Sequence, residues 1–369
     1  MRLKIFSSKE YLPKGTEPAP LLYPFWKDLY SPTYRSWISP YETYYQSGEQ
    51  YFEMTSLEEC DFAVLPVDWR DIRGDSWYSQ KNTHLEQRAL QFAELVKSAN
   101  KPLIIFFGSD CSDEPLPIKD AIVFRQSPYR SLSRQGTDYC FPFFCEDFVE
   151  HYLKGEMPIR KKPDIPVIGF CGLATPVSLR KRLQIPLYHA STLLKQGKIG
   201  VSPYKGHSIR NLALNLMQNN QQIAANFVIR REAAFFKASD EDSRINIRLQ
   251  YVENIVNSDY TLCIRGAGNY SNRFYEVISC GRIPIFVDTD CVLPWDSVIN
   301  WKKYTVSLNE KELNTIVNKV LEFHNRLSPD EFIEMQHACR KLWKEWLSPE
   351  GFFSHLYLSL NSLSTTSIS

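Results

Sequence analysis

The chain has no hydrophobic run near the roughly 18–20 apolar residues that a membrane-spanning helix needs. Its apolar start, Met1-Arg2-Leu3-Lys4-Ile5-Phe6, is too short for a signal peptide and reads as a strand. Neither charge is in surplus: 43 Lys and Arg meet 42 Asp and Glu, for a net charge of +1. With no basic block and no zinc-finger or RNA-module signature, the sequence argues against nucleic acid as a partner. Nine cysteines occur without a CxxC pair. That pattern suggests neither a zinc site nor a disulfide framework, and reads as small buried thiols in a reducing compartment. The first strand is followed by Phe6-Ser7-Ser8-Lys9 and lacks a GxGxxG fingerprint, which weakens an NAD-dependent oxidoreductase reading. No repeat appears, and the only biased segment is the Ser/Thr-rich end, 361–369.

What is present suits a folded enzyme. The 369 residues are 43% hydrophobic, enough for two α/β domains with full cores. Aromatic content is 14%, which fits a sugar-binding groove and an aromatic-rich core equally well. Strand-like runs at Arg2–Phe6, Asp61–Val67, Leu103–Phe107 and Ala121–Phe124 alternate with helical spacing at Thr83–Ser98, which predicts a parallel sheet. Residues 154–166 combine charge with three prolines and predict the linker between domains 1–160 and 161–347, with 348–369 as a tail. In the second domain Val167–Cys171 and Asn226–Ile229 read as strands. Pro176–Gln196, Asn246–Asn257, Glu310–His324 and Pro329–Trp346 read as helices.

Residues 260–306 are the most informative. Tyr260–Ile264 is a buried-strand run, Arg265–Tyr270 a glycine-bearing turn, Ser271–Cys280 a helix, and Ile283–Val287 a second strand. Gly281 stands where a helix C-terminal glycine belongs. This is a βαβ unit, whose strands must be parallel. Backbone N–H groups and the helix dipole converge at the turn, which makes an anion site suited to a diphosphate. Arg265 and Arg273 flank it, and Arg273 shares a helix face with Glu276.

The run RGAGNYSNRFYE (265–276), followed by SCGRIPIFVDTD (279–290), LPW (293–295) and Trp301, resembles the exostosin family of glycosyltransferases. Looser likeness extends to Tyr251–Asn254, Pro166–Gly172 and Cys60–Pro66. The resemblance implies an inverting transferase of GT-B architecture, with two Rossmann-like domains whose parallel sheets face a central cleft. Its donor would be a nucleoside-diphosphate sugar, with UDP preferred over GDP, and its acceptor a glycan or glycolipid. Animal exostosins carry a membrane anchor and work in the secretory lumen. Lacking an apolar span, this sequence looks more like soluble bacterial members, acting in the cytoplasm with at most peripheral membrane association.

Site expectations follow. Arg273 and Arg265 would neutralise the leaving diphosphate, since guanidinium binds phosphate bidentately. Gly266, Gly268 and Ser271 would bring N–H groups or a hydroxyl to it, though turn chemistry and a helix cap explain them too. Glu276 would accept the ribose hydroxyls; the plainer alternative is an ion pair with Arg273. Gly172 and Arg230 lie at predicted strand ends, where open α/β sheets bind ligands, as does Arg231. The general base would be Asp68, ahead of Asp110, Asp113 and His84, although a cap or turn role is the plainer reading of each. Trp26, Tyr34 and Trp37 are candidates for stacking on acceptor sugars. Asp288-Thr289-Asp290 spells an Asp-x-Asp metal motif. The arginines already supply positive charge, so no metal or other cofactor is expected. The other reading is a non-catalytic glycan- or nucleotide-sugar-binding subunit with the same fold.

Overall fold

The computed structural model describes residues 2–30, 39–174, 176, 178–196, 200–231, 234–238 and 240–359. Tyr34, Trp37 and the 361–369 end lie outside them. The chain divides into two units. Unit 1 takes in 1–144, 290–295 and 345–369; unit 2 takes in 145–289 and 296–344.

Unit 1 carries β1 (Leu3–Phe6), β2 (Phe52–Met54), β3 (Phe62–Val64), β4 (Leu103–Phe107), β5 (Ile122–Arg125) and β6 (Asp138–Cys140). They form one sheet in the order β2-β1-β3-β4-β5-β6. Every pairing is parallel, with Ile5 opposite Phe62 and Ile104 opposite Ile122. A parallel strand is covered on both faces, so its sequence is continuously apolar rather than alternating; all five residues of β4 are buried. Helices α1 (Glu42–Ser47), α2 (Trp69–Arg73) and α3 (Thr83–Ser98) follow the chain. The expected face of α3, Leu85, Ala89, Phe92, Ala93 and Val96, is the buried one. Trp26, 5% exposed, joins this core.

Unit 2 opens with α4 (Phe148–Tyr152) and β7 (Val167–Leu173). Next come α5 (Leu179–Gln196), α6 (Lys205–Gln218), β8 (Ala224–Arg230), α7 (Ala234–Lys237) and α8 (Glu241–Val256). The unit continues through β9 (Tyr260–Cys263), α9 (Asn272–Ser279), β10 (Ile283–Asp288), β11 (Val306–Asn309), α10 (Ile316–Asn325) and α11 (Pro329–Leu342). Its sheet runs β11-β10-β9-β7-β8, again all parallel. The βαβ unit read from 260–287 is β9-α9-β10, within a residue at each boundary. Helix α9 ends as the sequence predicts: Gly281 takes φ +65°, which glycine adopts without strain. Its N–H bonds the Ile278 carbonyl, and that of Arg282 bonds the Val277 carbonyl.

From Glu345 the chain belongs to unit 1 again, and α12 (Pro349–Ser354) lies there, capped by Ser348. Phe353 stacks on Tyr44 at 4.3 Å, and Phe352 meets Phe124 edge-on. The segment that reads as a tail thus places two fully buried phenylalanines in the first core.

Candidate functional site

In an open parallel sheet, ligands bind beyond the carboxyl ends of the strands, where the chain reverses its direction of sheet growth. In unit 2 the chain leaves β7 for β8 on one side and returns to β9 on the other. The switch point is therefore between β7 and β9, and the Arg265–Tyr270 loop and the start of α9 emerge there.

Arginines from two helices span this point. From α9, Arg273 donates through Nη2 to the Cys171 carbonyl of β7 (2.7 Å), with a longer contact from Nη1 to the Leu262 carbonyl of β9 (3.5 Å). Its guanidinium lies 4.3 Å above the Phe170 ring. From α6, Arg210 donates through Nη2 to the carbonyls of Ile264 (3.1 Å) and Arg265 (2.7 Å) and through Nη1 to that of Leu173 (3.4 Å). The Nε groups of Arg210 and Arg273 are buried without a hydrogen-bond partner among the described residues. Burial pushes the Arg210 guanidinium below its usual range, and the charges of Arg273 and Arg265 push it further. A guanidinium keeps its proton nonetheless, so the repulsion remains until an anion relieves it. His207, one turn before Arg210, is held neutral, its pKa lowered to about 4 by burial and then by Arg210 and Lys181.

Two glycines permit this geometry. Gly172 has φ +152°, and a Cβ there would stand 2.6 Å from Arg273 Nη2. At Gly206, in the first turn of α6, a Cβ would stand 2.3 Å from the Arg265 carbonyl oxygen. Gly206 thus lets α6 approach the motif loop closely enough for Arg210 to cap it. The loop ties itself. Arg265 donates to Asn269 Oδ1 (3.0 Å) and the Ala267 carbonyl (2.7 Å), while the Thr289 hydroxyl also donates to Asn269 Oδ1 (2.7 Å). The Gly266 N–H bonds the Tyr270 carbonyl at 2.9 Å. A Cβ at Gly266 would meet nothing nearer than Arg210 Nη2 at 4.0 Å, so Gly266 borders open space beside that arginine. Gly268 is buried within the loop. Ser271 occupies the N-cap position of α9 but makes no capping hydrogen bond with its side chain.

Glu276 lies one turn along α9, 8% exposed. It accepts from the Tyr251 hydroxyl (2.5 Å) and pairs with Arg248 (3.7 Å), which also pairs with Glu146 (3.1 Å). Its ion-pair partner is thus Arg248 of α8 rather than Arg273. Arg273 reaches the same cluster through the Tyr251 ring, 5.8 Å from its guanidinium. Arg230, at the end of β8, donates to Gln250 Oε1 (2.9 Å); β8 is the sheet edge, one strand away from the switch point. Arg282 is fully buried and serves the fold, donating to the carbonyls of Val256 and Pro158 and to Gln336.

The switch point of the unit 1 sheet lies between β1 and β3. Asp68 stands beyond β3 as the N-cap of α2. Its Oδ1 accepts from the N–H groups of Arg70 (2.8 Å) and Gly108 (3.0 Å), which leaves Oδ2 without a hydrogen bond among the described residues. Asp71, in the first turn of α2, keeps 32% of its side chain open. Burial pushes its carboxyl up to about 6; Arg70 opposes the rise, while Asp68, Glu17 and Asp75 add to it. The Tyr23 phenol, also raised by burial, feels the same Glu17 and Arg70. Asp110 and Asp113 follow β4 in a loop tied by the hydroxyls of Ser112 and Ser127. His84 lies exposed on α3. Asp290, at φ +68°, accepts from the Ser131 hydroxyl at 2.5 Å. Among the described residues no three His, Cys, Asp or Glu side chains gather as metal ligands would.

The sequence reading missed Arg210 and Gly206 because α6 itself was missed. Ala213, Leu214 and Met217, buried on α6, carry the periodicity that reveals it.

The fold and this switch point define an α/β protein with two parallel sheets, of the kind seen in GT-B-like glycosyltransferases. Residues 192–322 match the exostosin GT47 domain, which supports the resemblance read from 265–276. The chain is 27% identical to Exostosin-1 of Drosophila melanogaster over 107 residues, 29% of this chain and 14% of that protein. It is 27% identical to Exostosin-1a of Danio rerio over 109 residues, 30% of this chain and 14% of that protein. It is 35% identical to a probable glycosyltransferase of Arabidopsis thaliana over 65 residues, 18% of this chain and 14% of that protein. The matched region thus spans about one seventh of each relative.

Proposed function

We propose that the chain is an inverting glycosyltransferase that moves a sugar from a nucleoside-diphosphate donor, with UDP as the nucleotide, to a glycan or glycolipid acceptor. The supporting observation is the convergence of Arg210 and Arg273 on the switch point between β7 and β9, beside Arg265 and the start of α9. Their donors hold strand-end carbonyls, and Arg210 is repelled by the other two arginines. A diphosphate offers the charge that such a group lacks, and it gains charge as the sugar departs. Donors fixed in advance therefore stabilise the transition state more than the ground state. Ser271 and the Gly266–Gly268 loop would supply further donors, and Glu276 would orient the ribose beside Tyr251. The chemistry needs no metal in this reading, because the guanidinium groups carry the positive charge.

Inverting transfer also needs a carboxylate to take the acceptor proton. Asp68 and Asp71 stand at the strand-end position that favours this role in unit 1. Asp68 keeps Oδ2 open, and the raised pKa of Asp71 makes it the stronger base. The acceptor oxygen attacks the anomeric carbon, and the bond from that carbon to the phosphate oxygen breaks with its electron pair going to the diphosphate. The proton leaves through the carboxylate to solvent.

The test is release of UDP from a panel of UDP-sugars, with and without glycan acceptors and with excess EDTA. Transfer that persists in EDTA supports the reading. Tight UDP binding without turnover favours the binding-subunit alternative.

A further inference from the structure

Helix α5 presents an apolar stripe that nothing described in this chain covers. Leu179, Leu183, Leu187 and Leu194 recur at steps of four, four and seven, which places them along one side of the helix. Their exposures are 77%, 75%, 66% and 87%. These are the values of a surface side chain, yet the residues are leucine. The opposite side faces the protein, since Thr192 is 6% exposed and Lys181 lies 5.5 Å from the Tyr204 ring.

The charge on this helix is of one sign. Arg180, Lys181 and Arg182 fill its first turn, and its 18 residues include no Asp or Glu. None of the three cations forms an ion pair among the described residues. In a chain of net charge +1 this is a local concentration, set beside exposed leucines.

We propose that α5 docks on an anionic phospholipid surface, lying in the plane of the interface. Its leucine side would enter the boundary between headgroups and acyl chains, and Arg180 and Arg182 would meet lipid phosphates at its edges. The charge favours this occupant over a second copy of the chain. A symmetric pairing through α5 would bring two wholly cationic helices together without a carboxylate between them, whereas an anionic bilayer supplies the counter-charge. The helix is about 27 Å long at 1.5 Å per residue, enough to lie along a surface. Among the described residues no helix is long and apolar enough to cross a membrane; α5 would lie on the surface rather than span it. An enzyme held this way would meet a lipid-linked acceptor in two dimensions.

The test is co-sedimentation of the full chain with vesicles of phosphatidylglycerol and phosphatidylcholine in equal parts, against phosphatidylcholine alone. Binding to the anionic vesicles only is expected, with release at ionic strengths near 1 M, where screening shortens to about 3 Å. Neutralising Arg180 and Arg182 to Gln together lowers the partition coefficient on the order of 25-fold, at about fivefold per charge. Leu183→Ser with Leu187→Ser removes binding while the thermal midpoint and UDP affinity stay at wild-type values, since both leucines are already exposed. No binding to anionic vesicles, or binding that survives the leucine substitutions, overturns the proposal. So does a wild-type dimer in solution that the leucine variant converts to monomer, because the stripe would then be a subunit interface.

Discussion

Gly172→Ala is a small change with a large predicted effect, because Arg273 lies across the position the new methyl group would take. A Cβ would stand 2.6 Å from Arg273 Nη2, and ordinary contacts are about 3.5–4.0 Å. The guanidinium must retreat by roughly 1 Å, which removes its 2.7 Å hydrogen bond to the Cys171 carbonyl. A hydrogen bond from a charged group contributes about 1.5–3 kcal/mol. Placing alanine at φ +152° adds about 1–3 kcal/mol of backbone strain. The expected loss in stability is therefore about 2.5–6 kcal/mol, with UDP affinity falling as well. A double-mutant cycle separates the two terms. Denaturant unfolding of wild type, Gly172→Ala, Arg273→Ala and the double variant would be compared. In the Arg273→Ala background Gly172→Ala should cost only the strain, a coupling of about 1.5–3 kcal/mol. Additivity within about 0.5 kcal/mol would show that the two residues do not meet and would refute the strand-end placement of Arg273.

Three further predictions concern single residues. Arg210→Gln should weaken UDP binding by calorimetry by about tenfold or more, at one or two lost charged hydrogen bonds, while Arg230→Gln changes it little. Equal effects would remove the switch point from the account. Glu276→Gln should cost about 1–3 kcal/mol of stability, limited because Arg248 keeps Glu146 at 3.1 Å. It should also narrow the preference for UDP over its 2′-deoxy analogue; an unchanged preference would confine Glu276 to structure. Asp71 carries a proton more readily in the folded chain than in the unfolded one. Its contribution therefore lowers stability as pH rises from about 4 to its folded value of about 6. If Asp71 is the base, turnover rises over the same window, and Asp71→Asn removes both trends. A pH–rate profile that Asp71→Asn leaves intact would return the role to Asp68.

The sequence made the motif's local structure legible, because every level of signal there agrees. An apolar strand, a glycine turn, a helix with Phe274, Val277 and Ile278 on its inner face, and a terminal glycine are all local features. The three-residue edge strands β2 and β6 left no such trace, since so short a run has no periodicity to read. Helix α6 was missed because exposed Leu212 and Leu216 stand beside the buried Ala213, Leu214 and Met217 and blur its apolar periodicity, and Arg210 was lost with it. Arg273 was recognised by position, but its partners were not. Its contact with the β7 carbonyl depends on which strands are neighbours, and strand order is a property of topology rather than of any segment. For the same reason Glu276 found Arg248 on α8 instead of the residue three positions before it. Asp68 has the plainer role that its place before a helix allows, as a cap, whereas the raised pKa of Asp71 arises first from burial, with smaller contributions from Asp68, Glu17 and Asp75, and burial is set by the fold.

The most direct test is a calorimetric titration of UDP into the wild-type chain and into Arg273→Ala, with the thermal midpoint of each recorded alongside. The account predicts a measurable affinity for wild type that falls by about tenfold or more in the variant, beyond any loss attributable to unfolded protein. Equal affinity in the two, or no UDP binding by a folded wild type, would contradict it.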